Sequence, residues 1–128
     1  MLELYCALTL RRVQDVVERV CCIPADFHRR GDVSIVRLLA ESGYDTASNA
    51  ITVTVIQQHL ENHPQMIDDW AAYSCDKRCE GWFFDSYFSV GHYSTVAGVT
   101  CQQTFSKRSL ACAEFIKHEL DLILERIS

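Results

Sequence analysis

Gly81-Trp82-Phe83-Phe84-Asp85-Ser86-Tyr87-Phe88-Ser89-Val90-Gly91-His92-Tyr93 is the stretch on which the fold turns. Aromatic and β-branched residues crowd it, and Asp85-Ser86 and Gly91 interrupt it, a composition that suits half-buried pleated backbone rather than helix. The reading is a hairpin over Gly81 to Tyr93 with a third strand at Val99 to Phe105, because two strands alone are hardly stable in water. A cover for this sheet follows at once in the chain. Ala113, Ile116, Leu120, Ile123, Leu124 and Ile127 form a helical stripe, Ser106 or Ser109 can cap its start, and Lys117 and Asp121 stand four apart as an ion pair.

Upstream of the strands the apolar period is that of helices. Cys6, Leu10, Val13, Val17 and Val20 share one face of a first helix that should end near Cys21, before Pro24. A polar connection, Pro24 to Gly31, leads to a helix over Val33 to Ser42, capped by Asp32, closed by Gly43 and burying Ile35, Leu38 and Leu39. Ile51 to Val55 alternates like a strand, yet Val55, Ile56, His59, Leu60 and His63 recur at helical spacing, so a helix started by Thr52 or Thr54 is preferred. Pro64 opens the next helix, which carries Met66, Ile67, Trp70 and Tyr73 and ends around Cys75 to Arg78. The fold class is therefore α+β in one domain, 1–128: helices, a small antiparallel sheet of about three strands, and a C-terminal helix packed on it.

Length and charge narrow the function classes. The chain has 128 residues, 48% of them apolar and 23% charged, which is a globular composition. Its longest apolar start, Leu4 to Leu10, is too short to span a bilayer and has no basic segment before it, so a cytoplasmic protein is expected. The net charge of −5 discourages contact with nucleic acid or anionic lipid and favours a basic partner. Seven cysteines, at 6, 21, 22, 75, 79, 101 and 112, make an odd number on largely apolar faces, which suits reduced and mostly buried thiols.

Several constellations could carry chemistry. His59 and His63 stand four apart on a helix, and Cys75 and Cys79 could complete a tetrahedral zinc shell, although Pro64 and a whole helix intervene. Nothing pairs a cysteine with a base for nucleophilic catalysis, and the five glycines are scattered singly rather than gathered in a phosphate loop. A winged helix-turn-helix is a further alternative, but its recognition helix, Thr52 to His63, has no Lys or Arg and carries Glu61. Arg11, Arg12, Arg19, Arg29 and Arg30 form the one basic concentration, read as a salt-paired surface. A protein-binding face has the firmer basis: Trp70, Tyr73, Trp82, Tyr87 and Tyr93 lie among Asp68, Asp69, Asp76, Glu80 and Asp85, and aromatic anchors with an acidic rim suit a basic protein.

A family resemblance points the same way. Ser34-Ile35-Val36-Arg37-Leu38-Leu39 with Ser42-Gly43-Tyr44, then Ile51-Thr52, Leu60, His63-Pro64 and Trp70 carry its first part. Tyr73-Ser74-x-Asp76-Lys77-Arg78, Gly81-Trp82-Phe83-Phe84, Val90-Gly91-His92-Tyr93 and Ala111-Cys112-Ala113-Glu114-Phe115-Ile116 carry the rest. Over about three-quarters of its length the chain resembles small bacterial immunity proteins of the contact-dependent growth inhibition type. Residues 1–31, Cys75 and Cys79 stand outside the pattern. The resemblance implies a cytoplasmic protein without catalytic activity that binds and blocks a cognate toxin domain; no cofactor is expected, and the chain is expected as a monomer or weak homodimer. Such toxins are often nucleases, whose sites are basic because they hold a phosphate backbone. The binding residues expected on this reading are Asp68, Asp69, Asp76, Glu80 and Asp85 as charge complements and Tyr73 as an anchor.

Overall fold

The computed structural model describes the backbone of residues 2–76 and 80–127 and the side chains of 11–75 and 80–127. Helices α1 (Leu2–Cys21), α2 (Ile23–Arg30), α3 (Ile35–Ser42), α4 (Tyr44–Ala47), α5 (Val53–Asn62) and α6 (Gln65–Asp76) precede the strands β1 (Gly81–Asp85), β2 (Ser89–Ser94) and β3 (Gly98–Thr104). Helix α7 (Arg108–Ile127) follows them, and the architecture is α+β, as the sequence indicates. No helix among the described residues is long and apolar enough to cross a membrane.

Local chemistry explains the element boundaries, including those that differ from expectation. The segment read as a polar connection is helix α2: Pro24 lies in its first turn, where a missing N–H is harmless, and Gly31 closes it in the left-handed conformation at φ 71°. Ser34, not Asp32, caps α3, its hydroxyl accepting from Arg37 N at 3.1 Å. Val33 before that cap and Leu38 within the helix are both buried, which pins the entry of the chain as a hydrophobic staple. Thr52 caps α5 by accepting from Val55 N, so the helical reading of Ile51 to Val55 holds. Ser109 caps nothing; its hydroxyl donates to Glu61 Oε1 at 3.1 Å and ties α7 to α5.

The sheet is antiparallel in the order β1-β2-β3. Trp82 faces His92 and Phe84 faces Val90 across β1 and β2, and this face lies on α7, where Phe84 stacks on Phe115 and Trp82 on His118. The opposite face carries the pairs Phe83 with Gly91 and Gly81 with Tyr93. A side chain at position 91 would begin 2.6 Å from the Phe83 ring, so glycine there lets the ring lie across the neighbouring strand. The free edge of β1 is closed by α6, because Phe84 N donates to Ser74 Oγ at 2.8 Å.

Helices α1, α5, α6 and α7 share the core with this sheet. Trp70, 1% exposed, donates its indole N–H to the carbonyl of Cys21 at 3.0 Å. That carbonyl ends α1 and belongs to the set a helix leaves without internal partners. Trp70→Phe removes the donor and strands a buried acceptor, which should lower stability by about 1–3 kcal/mol. The check is a urea titration, in which the midpoint should fall with the slope unchanged.

Candidate functional site

The expected acidic face is divided between separate elements where its side chains are described. Asp68 and Asp69 stand half-buried early in α6, with Gln65 Nε2 3.5 Å from Asp69 Oδ1. Asp69 lies toward α2, where with Asp26 and Glu18 it adds to burial, the larger cause, in raising the Cys22 thiol above its ordinary value. Tyr73 points inward: its hydroxyl donates to Glu119 Oε2 at 2.7 Å, and its ring packs against Trp70 and Phe115. The Asp76 side chain lies outside the described residues. Glu80 and Asp85 are exposed and flank the two ends of β1.

The ends of the sheet gather the features of a contact surface. At one end Asp85 to Phe88 make a tight turn, with Phe88 N donating to the Asp85 carbonyl at 3.3 Å. Ser86 and Tyr87 both take positive φ, 54° and 66°, the pattern of a turn whose twist matches a hairpin and that Asn-Gly ordinarily fills. For a side-chain-bearing residue that conformation costs about 1–2 kcal/mol. It sets the Tyr87 ring perpendicular to Phe84 and beneath the Arg108 guanidinium, 5.0 Å from the ring centre. Phe88 beside it is exposed.

At the other end Glu80 accepts from both the backbone N–H and the hydroxyl of Thr95, latching the entrance of β1 to the β2–β3 turn. Those bonds, helped by His92 and Arg126, hold the Glu80 carboxyl below its usual range. Tyr93, Val96 and Val99 are exposed there, and Tyr93 pairs with Val99 across the strands. Among the described residues, five of the eight exposed large hydrophobics thus fall within 87–99, while the others, Phe27, Val36 and Ile127, are scattered.

The rival constellations fare differently. His59 and His63 stack at 4.3 Å between ring centres, and His63 Nδ1 lies 3.0 Å from the His59 carbonyl, to which a protonated ring nitrogen donates. Cys75 is exposed near the far end of α6, ten residues beyond its start and so about 15 Å along the axis, too far to share a tetrahedral zinc shell with His63. Cys79 lies outside the described residues, and among those described no group of three or more His, Cys, Asp or Glu is placed to hold a metal. Helix α5, the supposed recognition helix, buries Ile56 and Leu60 and packs between α1 and α7.

The thiols divide. Burial pushes Cys21 up to about 12 and Cys112 well above its ordinary value, so both are inert core thiols, whereas Cys75 and Cys101 are exposed. Of the arginines read as a salt-paired surface, Arg29 pairs with Asp26 at 2.9 Å and Arg30 with Glu41 at 2.9 Å, while Arg19 donates to the Glu41 carbonyl at 3.0 Å and Arg11 and Arg12 are exposed; Arg37, outside that group, also reaches Glu41 at 3.2 Å.

Comparison with protein-family models, with curated proteins and with solved structures finds no match. The sequence located the hairpin turn through Asp85-Ser86, but no regular alternation marked which strand residues face outward. Tyr87 and Tyr93 were read among the aromatic anchors, whereas Phe88, Val96 and Val99 were absent from the expected site.

Tyr73→Phe should weaken folding by about 1–3 kcal/mol, because it removes a hydrogen bond to the buried Glu119 carboxylate, and should leave partner binding unchanged. Denaturant unfolding beside a binding titration checks both halves. His59 gives a pH signature. Burial first and then His63 lower its imidazole below the ordinary 6.5, with Glu18 opposing. On acidification the unfolded chain takes up that proton first, so the contribution is intact above about pH 6.5 and shrinks below it. His59→Phe should flatten the loss of stability between about pH 7 and 5, and parallel losses in the two proteins would refute the assignment.

Proposed function

We propose that this protein is an immunity protein, which binds the toxic domain of a cognate bacterial effector, a basic nuclease, and neutralises it by covering its active or substrate-binding surface. On this reading it works in the cytoplasm without catalysis of its own. The observation that carries the reading is the concentration of exposed aromatic and aliphatic side chains on the sheet between residues 87 and 99, bracketed by the Asp85 and Glu80 carboxylates. Aromatic anchors dominate the energy of protein interfaces, and charges on the rim steer the approach of an oppositely charged partner. The resemblance in sequence to contact-dependent growth inhibition immunity proteins supplies the class of partner. The centre of the interface therefore moves from α6, where the sequence suggested it, to the sheet.

The decisive experiment is co-expression with candidate toxin domains, followed by capture of the complex and assay of the toxin's nuclease activity. A basic domain that co-purifies and is silenced supports the reading, and survival of activity in the captured complex refutes it. Association kinetics then place the face. Glu80→Lys with Asp85→Lys should slow association about tenfold at low salt and flatten its salt dependence, while Asp68→Lys with Asp69→Lys should do less. The reverse ranking would return the interface to α6.

The strained turn offers a separate check. Replacing Ser86 by Asn and Tyr87 by Gly should raise stability by about 1 kcal/mol after loss of the Tyr87 ring contacts, and should weaken toxin binding by about 2 kcal/mol. Thermal unfolding and equilibrium binding of the same variant read the two effects with opposite signs.

A further inference from the structure

The helix that backs the sheet leaves its third strand partly uncovered. Between β3 and α7 lies an open cleft of about 460 Å³, within the size range of binding sites, walled by Trp82, Val90, Gln103, Phe105, Glu114 and His118. Trp82 and His118 lie parallel at 3.9 Å with 12° between their planes. Glu114, one turn before His118 on α7, sits 3.8 Å from its imidazole and is the cleft's carboxylate. Among the described residues no Lys or Arg lines this space.

β3 itself is the sheet's open edge. The edge of β1 is closed by Ser74, whereas Val99 to Thr104 are all exposed, and Gly98 to Thr104 contains neither a charge nor a proline, two devices that ordinarily keep foreign strands away. A bulge at Cys101 and Gln102, with Cys101 at φ 56°, shifts the register between Val90 and His92 and bends the strand beside the cleft.

We propose that this cleft receives an arginine side chain from an extended segment of the protein partner lying along β3. The inference rests on the reading of the protein as a binder of a basic protein, and it names the chemistry of one contact. Glu114 and the net charge of −5 select a cation over an anion. The aromatic lining, Phe105 and the Trp82 ring that His118 covers on one face, selects a flat and weakly hydrated cation, because a guanidinium lies against a ring where an ammonium stays solvated. Glu114 accepts from the guanidinium fork, and the Gln103 side-chain amide offers one more acceptor. The neighbouring uncharged strand lets the backbone on either side of the arginine come alongside without repulsion.

The test uses the full chain labelled with nitrogen-15 and titrated with a blocked pentapeptide, Thr-Val-Arg-Val-Thr, and with the same peptide carrying citrulline, which keeps the shape of arginine and loses its charge. The arginine peptide should shift the Trp82 indole resonance, the Glu114 amide and the amides of Val99 to Thr104, and should bind about tenfold more tightly than the citrulline peptide. Glu114→Gln should erase that tenfold difference while leaving the spectrum of a folded protein. Equal affinity for the two peptides overturns the proposal, as do shifts confined to α6 or no shift at several millimolar peptide. The titration needs no toxin. A toxin captured through Glu80 and Asp85 alongside a silent peptide titration would sink the arginine cleft alone. A discriminating cleft in a protein that neutralises no toxin would sink the immunity reading alone.

Discussion

The structure depends on one buried ring. Phe115, wholly inside on α7, meets Trp70 at 6.1 Å, Tyr73 at 6.3 Å and Phe84 at 6.0 Å between ring centres, so α6, α7 and the sheet converge on it. Trp70 carries the link onward by donating to the last carbonyl of α1. One helical turn beyond Phe115, on the same face of α7, Glu119 is only 2% exposed. A carboxylate at such a depth is tolerable only when hydrogen-bonded, and Tyr73 provides a donor from the helix that already packs on Phe115. The aromatic cluster therefore does two things at once: it buries the apolar area that holds sheet to helices, and it positions the phenol that satisfies the acid.

A second polar tie fixes the other end of the helical layer. Tyr44, buried in the short α4, donates its hydroxyl to Asp121 at 2.6 Å and accepts from Lys117 at 2.6 Å, and Lys117 also reaches the Ser48 carbonyl. Lys117 and Asp121 were legible as an i,i+4 pair, but Tyr44 as the group between them was not, because it lies more than seventy residues away in sequence. The same limit governs the rest of the reading. Features set by neighbours in the chain were readable: the Thr52 cap, the helix after Pro64, the hairpin break at Asp85-Ser86. Pro24 was misread because proline both ends and begins helices, and only the following left-handed Gly31 shows which of the two it does here.

The proposed binding face was harder to read for a related reason. Tyr73 looked like an anchor because tyrosine is frequent at interfaces, yet whether a phenol points out or in depends on what stands opposite it, here a glutamate forty-six residues away. Asp68 and Asp69 were grouped with Glu80 and Asp85 by composition, although Asp69 on α6 lies near Cys22 at the start of α2 and Glu80 and Asp85 stand at the two ends of β1. Charge counts do not contain that separation. Strand residues posed the opposite problem: aromatic residues stand at both odd and even positions of β1, so the run offers no alternation from which an outer face can be inferred.

Backbone strain at the sheet then becomes informative. Ser86 and Tyr87 at the β1–β2 turn and Cys101 in the β3 bulge are the non-glycine residues with positive φ among those described, and all three lie at the sheet's tip or its open edge. Folding alone favours Asn-Gly at such a turn and a covered or charged strand at such an edge. Both departures expose groups: a tyrosine ring held under an arginine, and an uncharged strand beside an acidic cleft. Strained conformations persist where the surrounding structure over-determines them, and here Phe84 on Phe115 and Ser74 on the far edge of β1 supply that rigidity. The division of labour follows physically. On the proposed function, the carboxylates at the ends of β1 act at a distance and set how fast a basic partner arrives, whereas the exposed rings and the open strand act only at contact and set how long it stays.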